Sequence, residues 1–296
     1  MFKNIGFIGL GVMGYHIASH LIKKKKKIHI IKRDSIKTKK FIDEYKKSKL
    51  LFSYSNLNEL AINCDCIISC VGNDNDLKNI YLSKNGIFYG IKNNSFIVDH
   101  TTGSPELSKQ LSNKFKKKNV TFFDAPMSGG EIGAKLGTLS LMIGGNKQKY
   151  LQIKKILKIY SKSLVFMGKN GSGQLTKMVN QICVASVIQG LAEALFFAKK
   201  KELKIDNLIQ VIKNGAGQSW QLENRALTMW DNKFNFGFMN KLMLKDLNLI
   251  SDEIKNTDLE LPVTKIIKKN YEKLIKLGFE KEDTSNLIRL LNKKTL

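Results

Sequence analysis

Three short strings carry the reactive groups of this sequence. The first, Gly9-Leu10-Gly11-Val12-Met13-Gly14, is G-x-G-x-x-G, set directly after a short apolar run and ahead of an amphipathic one. In a strand–turn–helix setting the first glycine permits the tight turn and the second lets the backbone approach a pyrophosphate. The third lets helix and strand close up, with the helix N-terminus facing the phosphates. Gly9, Gly11, Val12, Met13 and Gly14 are therefore expected to hold a dinucleotide. The residue closing the next strand reads the ribose: an acid takes the 2′-hydroxyl of NAD, positive charge takes the 2′-phosphate of NADP. Lys32-Arg33-Asp34 stands there. Asp34 keeps NAD open, while Arg33, flanked by Lys32 and Lys37, makes NADP the favoured cofactor.

The second string, Ser128-Gly129-Gly130, offers a hydroxyl and unobstructed backbone N–H groups, which suit a carboxylate. The third is Lys177 with Asn180 and Gln181. Gly171-Ser172-Gly173 opens a long helical run containing Leu175, Met178 and Val179, so this lysine is expected to be buried. A buried lysine is paired or has its pKa depressed toward neutrality, which is what a general acid/base needs. Asn180 and Gln181 share its helix face, where an amide holds a reacting oxygen or orients the lysine. His16 and His20 have zinc spacing, but no Glu intervenes and no third ligand is evident, so no metal site is expected.

Strand patterns at Asn4–Leu10, Ile28–Ile31, Asp65–Val71, Ser95–Asp99 and Val120–Asp124, with helical segments between them, predict a mainly parallel sheet covered on both faces. Leu139–Ile143 and Leu164–Met167 are candidate further strands. Beyond about residue 168 the pattern is helical throughout, ending with Ser285–Asn292. The expectation is an α/β chain: a dinucleotide-binding domain over 1–168 and an all-helical domain over 169–296, packed closely with no flexible linker. All three prolines fall at element edges, as a helix- and strand-rich chain requires.

The chain has 296 residues, 43% of them apolar, and a net charge of +25. Only Arg33, Arg225 and Arg289 of the fifty basic residues are arginine, and lysines are spread nearly everywhere. A nucleic-acid surface would gather charge on one stripe and use arginine forks, so a lysine-biased solvated surface is the reading and no nucleic-acid partner is expected. The four cysteines form no CxxC pair, which fits reduced thiols in the cytoplasm. No signal-peptide pattern is read at the start. The apolar stretch Ile182–Ala198 is interrupted by Gln189 and Glu193 and is expected to be a buried core helix, with no membrane partner.

The start GFIGLGVMG, the segment Asp124 to Gly130 (DAPMSGG) with Gly133 and Gly137-Thr138-Leu139, and Gly171 to Gln181 (GSGQLTKMVNQ) resemble the 3-hydroxyisobutyrate or β-hydroxyacid dehydrogenase family. Asp99 to Pro105 and Lys245-Asp246-Leu247 resemble two further motifs of that family. The resemblance implies a Rossmann domain, a helical second domain and hydride transfer between nicotinamide and a small 3-hydroxy acid or its semialdehyde. It makes Lys177 the catalytic acid/base and Ser128–Gly130 the loop that binds the substrate's acid group. Thr102 falls near the nicotinamide, and Val71 and Gly72 are strand-end cofactor contacts. Lys245 reaches toward cofactor and substrate, Asp246 toward the catalytic region, and Phe238 lines the substrate pocket. Trp220 and Arg225 are possible additions that spacing does not require, and His100 reads as a loop neighbour. The family usually has Asn where Gln181 stands. It also implies a homodimer or homotetramer.

Two other enzyme readings are weaker. The larger 6-phosphogluconate dehydrogenases have a far longer second domain, and imine reduction does not call for Lys177. The alternative of another class is a non-catalytic dinucleotide-binding or nucleic-acid-associated module. Such a module would be expected to lack Lys177 or to carry an additional reader domain.

Overall fold

The computed structural model describes residues 2–32 and 34–292. In chain order its elements are β1 Asn4–Ile8, α1 Val12–Lys23, β2 Lys27–Ile31, α2 Ile36–Tyr45, β3 Leu51–Tyr54, α3 Leu57–Ile62, β4 Cys66–Ser69 and α4 Asp74–Leu82. Then come α5 Ile87–Gly90, β5 Phe96–Asp99, α6 Pro105–Lys116, β6 Thr121–Asp124, β7 Met127–Ser128, α7 Gly130–Leu136, β8 Leu139–Gly144, α8 Lys147–Leu157 and β9 Ser161–Gly168. The rest is helical: α9 Ser172–Lys200, α10 Ile205–Ile212, α11 Trp220–Trp230, α12 Asn240–Ile254, α13 Pro262–Lys276 and a 3-10 helix, Thr284–Leu291. The chain divides into two compact units, Met1–Lys177 and Met178–Leu296, with the dividing line inside α9.

In the first unit the sheet runs β3-β2-β1-β4-β5-β6, all parallel, and continues antiparallel through β8 and β7, with β9 parallel to β8. Strand order reverses between β1 and β4, and in such sheets ligands bind beyond the carboxyl ends of the strands at that switch point. The glycine string leaves β1 there. Alternate residues of each strand serve opposite faces. Phe7, Ile68, Val98 and Phe123 enter one core with Ile17 and Phe41, while Ile8, Ile67, Ile97 and Phe122 enter another with Leu60 and Tyr81. Strands buried on both faces read as unbroken apolar runs, which is why these were legible. β3 and β7 were not expected: β3 is a half-exposed edge strand and β7 only two residues long.

Polar N-caps start the helices around the sheet. Ser35, Asn56, Asn73, Ser104 and Asn146 each accept from a backbone N–H in the first turn, and Pro105 follows Ser104 as a first-turn proline.

The second unit buries Ala185, Ile188, Ala192 and Leu195 of α9 against Leu222, Met229, Met243, Leu247, Ile267 and Tyr271. The expectation of a buried core helix over Ile182–Ala198 therefore holds for one face of α9 only. The helix has 29 residues and is long and apolar enough to cross a membrane, yet only a third of its most apolar stretch is buried. Leu175, Val179, Val187 and Phe197 are exposed. The last predicted helix is 3-10 in form: Asp283 takes both the N–H and the hydroxyl of Ser285, and Asn286 N–H bonds back to the Asp283 carbonyl, tightening the turn.

Candidate active site

Around the switch point the glycines do three different things. Gly9 has φ +98, and a Cβ there would lie 2.0 Å from the Cys70 carbonyl oxygen just past β4. At Gly14 a Cβ would lie 1.9 Å from the Gly9 oxygen and 2.9 Å from the Phe7 ring. A side chain at Gly9 would push the ends of β1 and β4 apart, and one at Gly14 would push α1 off β1. Gly11 has nothing within 4 Å of its Cβ position. It is the N-cap of α1, no side chain caps that end, and the first turn, which begins with Val12 and Met13, contains no acid. The helix start thus presents uncapped N–H groups and partial positive charge to open space, which fits a phosphate-bearing dinucleotide.

Past β2, Lys32 and Asp34 are exposed, and Asp34 pairs with Lys39 at 2.6 Å. Arg33 lies outside the described residues. Past β4, Val71 N–H donates to Thr101 Oγ1 at 3.0 Å and Gly72 N–H to Asp76 at 3.1 Å. Thr102 is half-buried, in a loop held on several sides. Thr101 N–H donates to Asp99 Oδ1 at 3.1 Å, Gly103 N–H to Gln174 Oε1 at 3.1 Å and Ser104 N–H to Asp74 Oδ1 at 3.0 Å. Gln174 Nε2 in turn donates to the Thr101 carbonyl at 2.7 Å.

Beneath this loop the carboxyl ends of β5 and β6 place Asp99 opposite Asp124 in register. Asp99 is fully buried and also accepts from Ser69 Oγ at 2.6 Å, while its Oδ2 has no hydrogen-bond partner. Burial pushes its carboxyl up to about 7, against the pull of its Ser69 and Thr101 bonds. Asp124 accepts from Gly171 N–H at 2.9 Å and from Gln174 N–H at 3.1 Å, so a sheet residue caps the start of α9. Burial raises this carboxyl too, and the backbone bonds lower it. Gly173 lets the helix come this close: a Cβ there would lie 2.5 Å from the Met142 oxygen. His100 is engaged by the Ala125 carbonyl and Tyr160 Oη, and burial lowers its pKa to about 4, as befits a neutral structural imidazole.

The Ser128 string lies between β7 and α7. Gly129 and Gly130 have φ +120 and +60, both are exposed, and a Cβ at Gly130 would meet nothing within 4 Å. His20 Nε2 sits 3.0 Å from the Ala134 carbonyl and 3.1 Å from that of Lys135, and His16 lies 3.9 Å from Glu131, so both imidazoles face α7.

Lys177 lies on α9 one turn beyond Gln174. It is 7% exposed, and among the described residues it is the only lysine in the buried class. On the same helix Asn180 Nδ2 donates to Gln181 Oε1 at 2.9 Å. Within the second unit Gln181 Nε2 donates to Asp246 Oδ2 at 2.6 Å, and Lys245 pairs with Asp246 Oδ1 at 3.1 Å. Asn180, Gln181, Asp246 and Lys245 thus form one network. Phe238 is half-buried and held elsewhere, its N–H donating to Asp283 at 2.9 Å. Arg225 pairs with the same Asp283 at 3.2 Å and lies over the Trp220 ring.

Sequence reasoning gave no part to Gln174, Asp124 or Asp99. For the two acids a signal existed, since each ends an apolar strand run where a carboxylate needs a reason to be buried. Gln174 carried only its place in the string Gly171–Gln181.

Residues 4–168 match the family described as the NAD binding domain of 6-phosphogluconate dehydrogenase, and residues 171–291 the one described as NAD-binding of NADP-dependent 3-hydroxyisobutyrate dehydrogenase. An uncharacterised oxidoreductase of Shewanella frigidimarina is 39% identical, covering 98% of both chains. The 2-hydroxy-3-oxopropionate reductase of Escherichia coli is 31% identical over 97% of this chain and 96% of its own. A 3-hydroxyisobutyrate dehydrogenase of Mycobacterium tuberculosis, solved with L-serine, shares the fold with a TM-score of 0.87 at 22% identity, over 99% of this chain and all of the other. The two family matches follow one another along almost the whole sequence, and the chain belongs to the 3-hydroxyisobutyrate dehydrogenase family of NAD(P)-dependent oxidoreductases.

Proposed function

We propose that this chain reduces a small carboxylate-bearing semialdehyde, or oxidises the matching 3-hydroxy acid, with Lys177 as general acid/base. The observation that carries the reading is the burial of Lys177, which alone among the lysines of the described residues is withdrawn from solvent. A bound nicotinamide supplies or accepts the hydride. In reduction Lys177 Nζ gives a proton to the carbonyl oxygen, and in oxidation it takes one from the hydroxyl. The Ser128 hydroxyl and the N–H groups of Gly129 and Gly130 hold the substrate's carboxylate. Asn180, Gln181, Asp246 and Phe238 complete the substrate side. Gly9, Gly11, Val12, Met13, Gly14, Val71, Gly72, Thr102 and Lys245 hold the cofactor.

NADP is the preferred cofactor in this reading. In sequence, Lys32, Arg33 and Lys37 bring positive charge to the segment that follows β2, and Asp34, the acid that would read a 2′-hydroxyl, is paired with Lys39. The relative acting on 2-hydroxy-3-oxopropionate favours a substrate of that class. We place the enzyme in the cytoplasm, in keeping with four cysteines that form no disulfide, as a homodimer or homotetramer acting without nucleic acid or membrane.

The test is NADPH and NADH oxidation with glyoxylate, succinic, tartronate and methylmalonate semialdehydes, run beside Lys177→Ala. Turnover of at least one semialdehyde, lost in the variant, supports the reading. Cofactor binding without reduction of any of them leaves the non-catalytic dinucleotide-binding alternative instead.

A further inference from the structure

The side chain of Gln174 has one donor end and one acceptor end, and both are used. Nε2 donates to the Thr101 carbonyl at 2.7 Å and Oε1 accepts from Gly103 N–H at 3.1 Å. The carboxamide therefore spans the residues on either side of Thr102 as a neighbouring strand would. Its own backbone N–H is fixed by Asp124 Oδ2 at 3.1 Å. The residue is 1% exposed. Three pieces of the first unit meet in it: the loop after β5, the end of β6 and the first turn of α9.

Lys177 follows on the same helix face, about 4.5 Å further along the axis at 1.5 Å per residue. Gln174 thus joins the loop that bears Thr102 directly to the helix that bears Lys177. The loop is braced from its other side by Asp74, which accepts from Ser104 N–H, and a Cβ on Gly103 would lie 2.4 Å from that carboxylate. Held between Gln174 and Asp74, Thr102 has little freedom to move relative to α9.

We propose that Gln174 is a positioning residue of the reaction, setting the distance between the Thr102 loop and the Lys177 amine. The inference rests on the function proposed above. The demand is chemical as well as steric: only a group with one donor and one acceptor at this spacing satisfies both Thr101 and Gly103. A carboxylate keeps the acceptor and loses the donor. A protonated carboxyl has both.

The experiment compares wild type, Gln174→Met and Gln174→Glu with the best semialdehyde and NADPH between pH 5.5 and 8, using ordinary and 4-deuterated cofactor. Both variants are expected to lose at least tenfold in kcat at pH 8, with cofactor Kd within about threefold. Their primary isotope effect should rise as the chemical step becomes limiting. Relative to wild type, Gln174→Glu should recover as the pH falls, because a buried carboxyl protonates well above its ordinary range, whereas Gln174→Met should not. A role in stability alone would lower Tm and leave kcat, isotope effect and pH profile unmoved. Wild-type kcat in Gln174→Met overturns the inference. Should that variant fail to fold, a pH profile of Gln174→Glu parallel to wild type overturns it equally. A wild type that reduces no semialdehyde overturns instead the function on which the inference rests.

Discussion

Gln181 donates a 2.6 Å hydrogen bond to Asp246, a residue 65 positions away in sequence, and the other oxygen of that carboxylate pairs with Lys245. The bond fixes which end of the amide is nitrogen, since a carboxylate only accepts. Asn180 completes the assignment by donating to Oε1. The longer side chain at this place makes the reach possible. Gln181→Asn should therefore break the contact and leave a buried carboxylate short of a donor, a loss of about 1–3 kcal/mol. Thermal melts should record the lower stability, and kcat/KM should fall about tenfold through disorder of Lys245. Unchanged melting and kinetics would show the bond to be incidental.

Substitution of Lys177 separates chemistry from binding. Lys177→Ala should reduce kcat by a factor on the order of 10²–10⁴, the usual worth of a positioned acid/base. Cofactor Kd, read from NADPH fluorescence, should stay within about twofold. Lys177→Arg should be no better, because a guanidinium does not give up its proton near neutral pH. A Lys177→Arg enzyme of near wild-type rate would mean that charge, and not proton transfer, is what the position supplies.

Gly11 and Gly14 should respond oppositely to the same added methyl. At Gly11 the methyl enters open space, so Gly11→Ala should melt within about 1 °C of wild type yet bind NADP(H) at least tenfold more weakly. At Gly14 the methyl would lie 1.9 Å from the Gly9 oxygen, and the protein should lose several kcal/mol or fail to accumulate. Equal stability losses in the two variants would contradict the assignment of Gly11 to the cofactor side.

Asp99 makes stability depend on pH in a direction unusual for an aspartate. Its carboxyl is pushed from an ordinary 3.8 up to about 7, so between those values the folded chain binds a proton that the unfolded chain has released. Stability is then lost as pH rises through that window, by about 1.4 kcal/mol per unit at most. Ser69, Tyr81, Thr101 and Asp124 surround the group, and none is cationic. His29 and His100, both lowered to about 4 by burial, act in the opposite sense, losing stability as pH falls below 6.5. Asp99→Asn should raise Tm at pH 8, with the gain shrinking toward pH 5. An offset constant with pH would rule out titration of Asp99.

The sequence displayed most of the sheet and only half of the site. β1, β4, β5 and β6 are buried on both faces, so their apolar runs could hardly be read otherwise, and the glycine string was tied to its strand by spacing. Lys177 could not be picked from the other lysines by composition. The glycines ahead of it and the family resemblance made it a candidate, and its burial is a fact of packing. The bonds of Gln174, and that of Gln181 to Asp246, join residues far apart in the chain, and nothing local marks such pairings. That α9 keeps an exposed face was expected, but which residues form it was not: a helix apolar on most sides gives little phase from which to tell the covered face from the open one.

Asp124 ties the start of α9 into the sheet through Gly171 and Gln174. A cut at the end of β9, where the sequence pattern changes, would strip this carboxylate of the backbone donors that offset its burial. The unit that holds together is thus not the sheet alone but the sheet together with the first turns of the following helix. Chimeras joined inside α9 after Lys177 should fold where those joined near residue 168 do not.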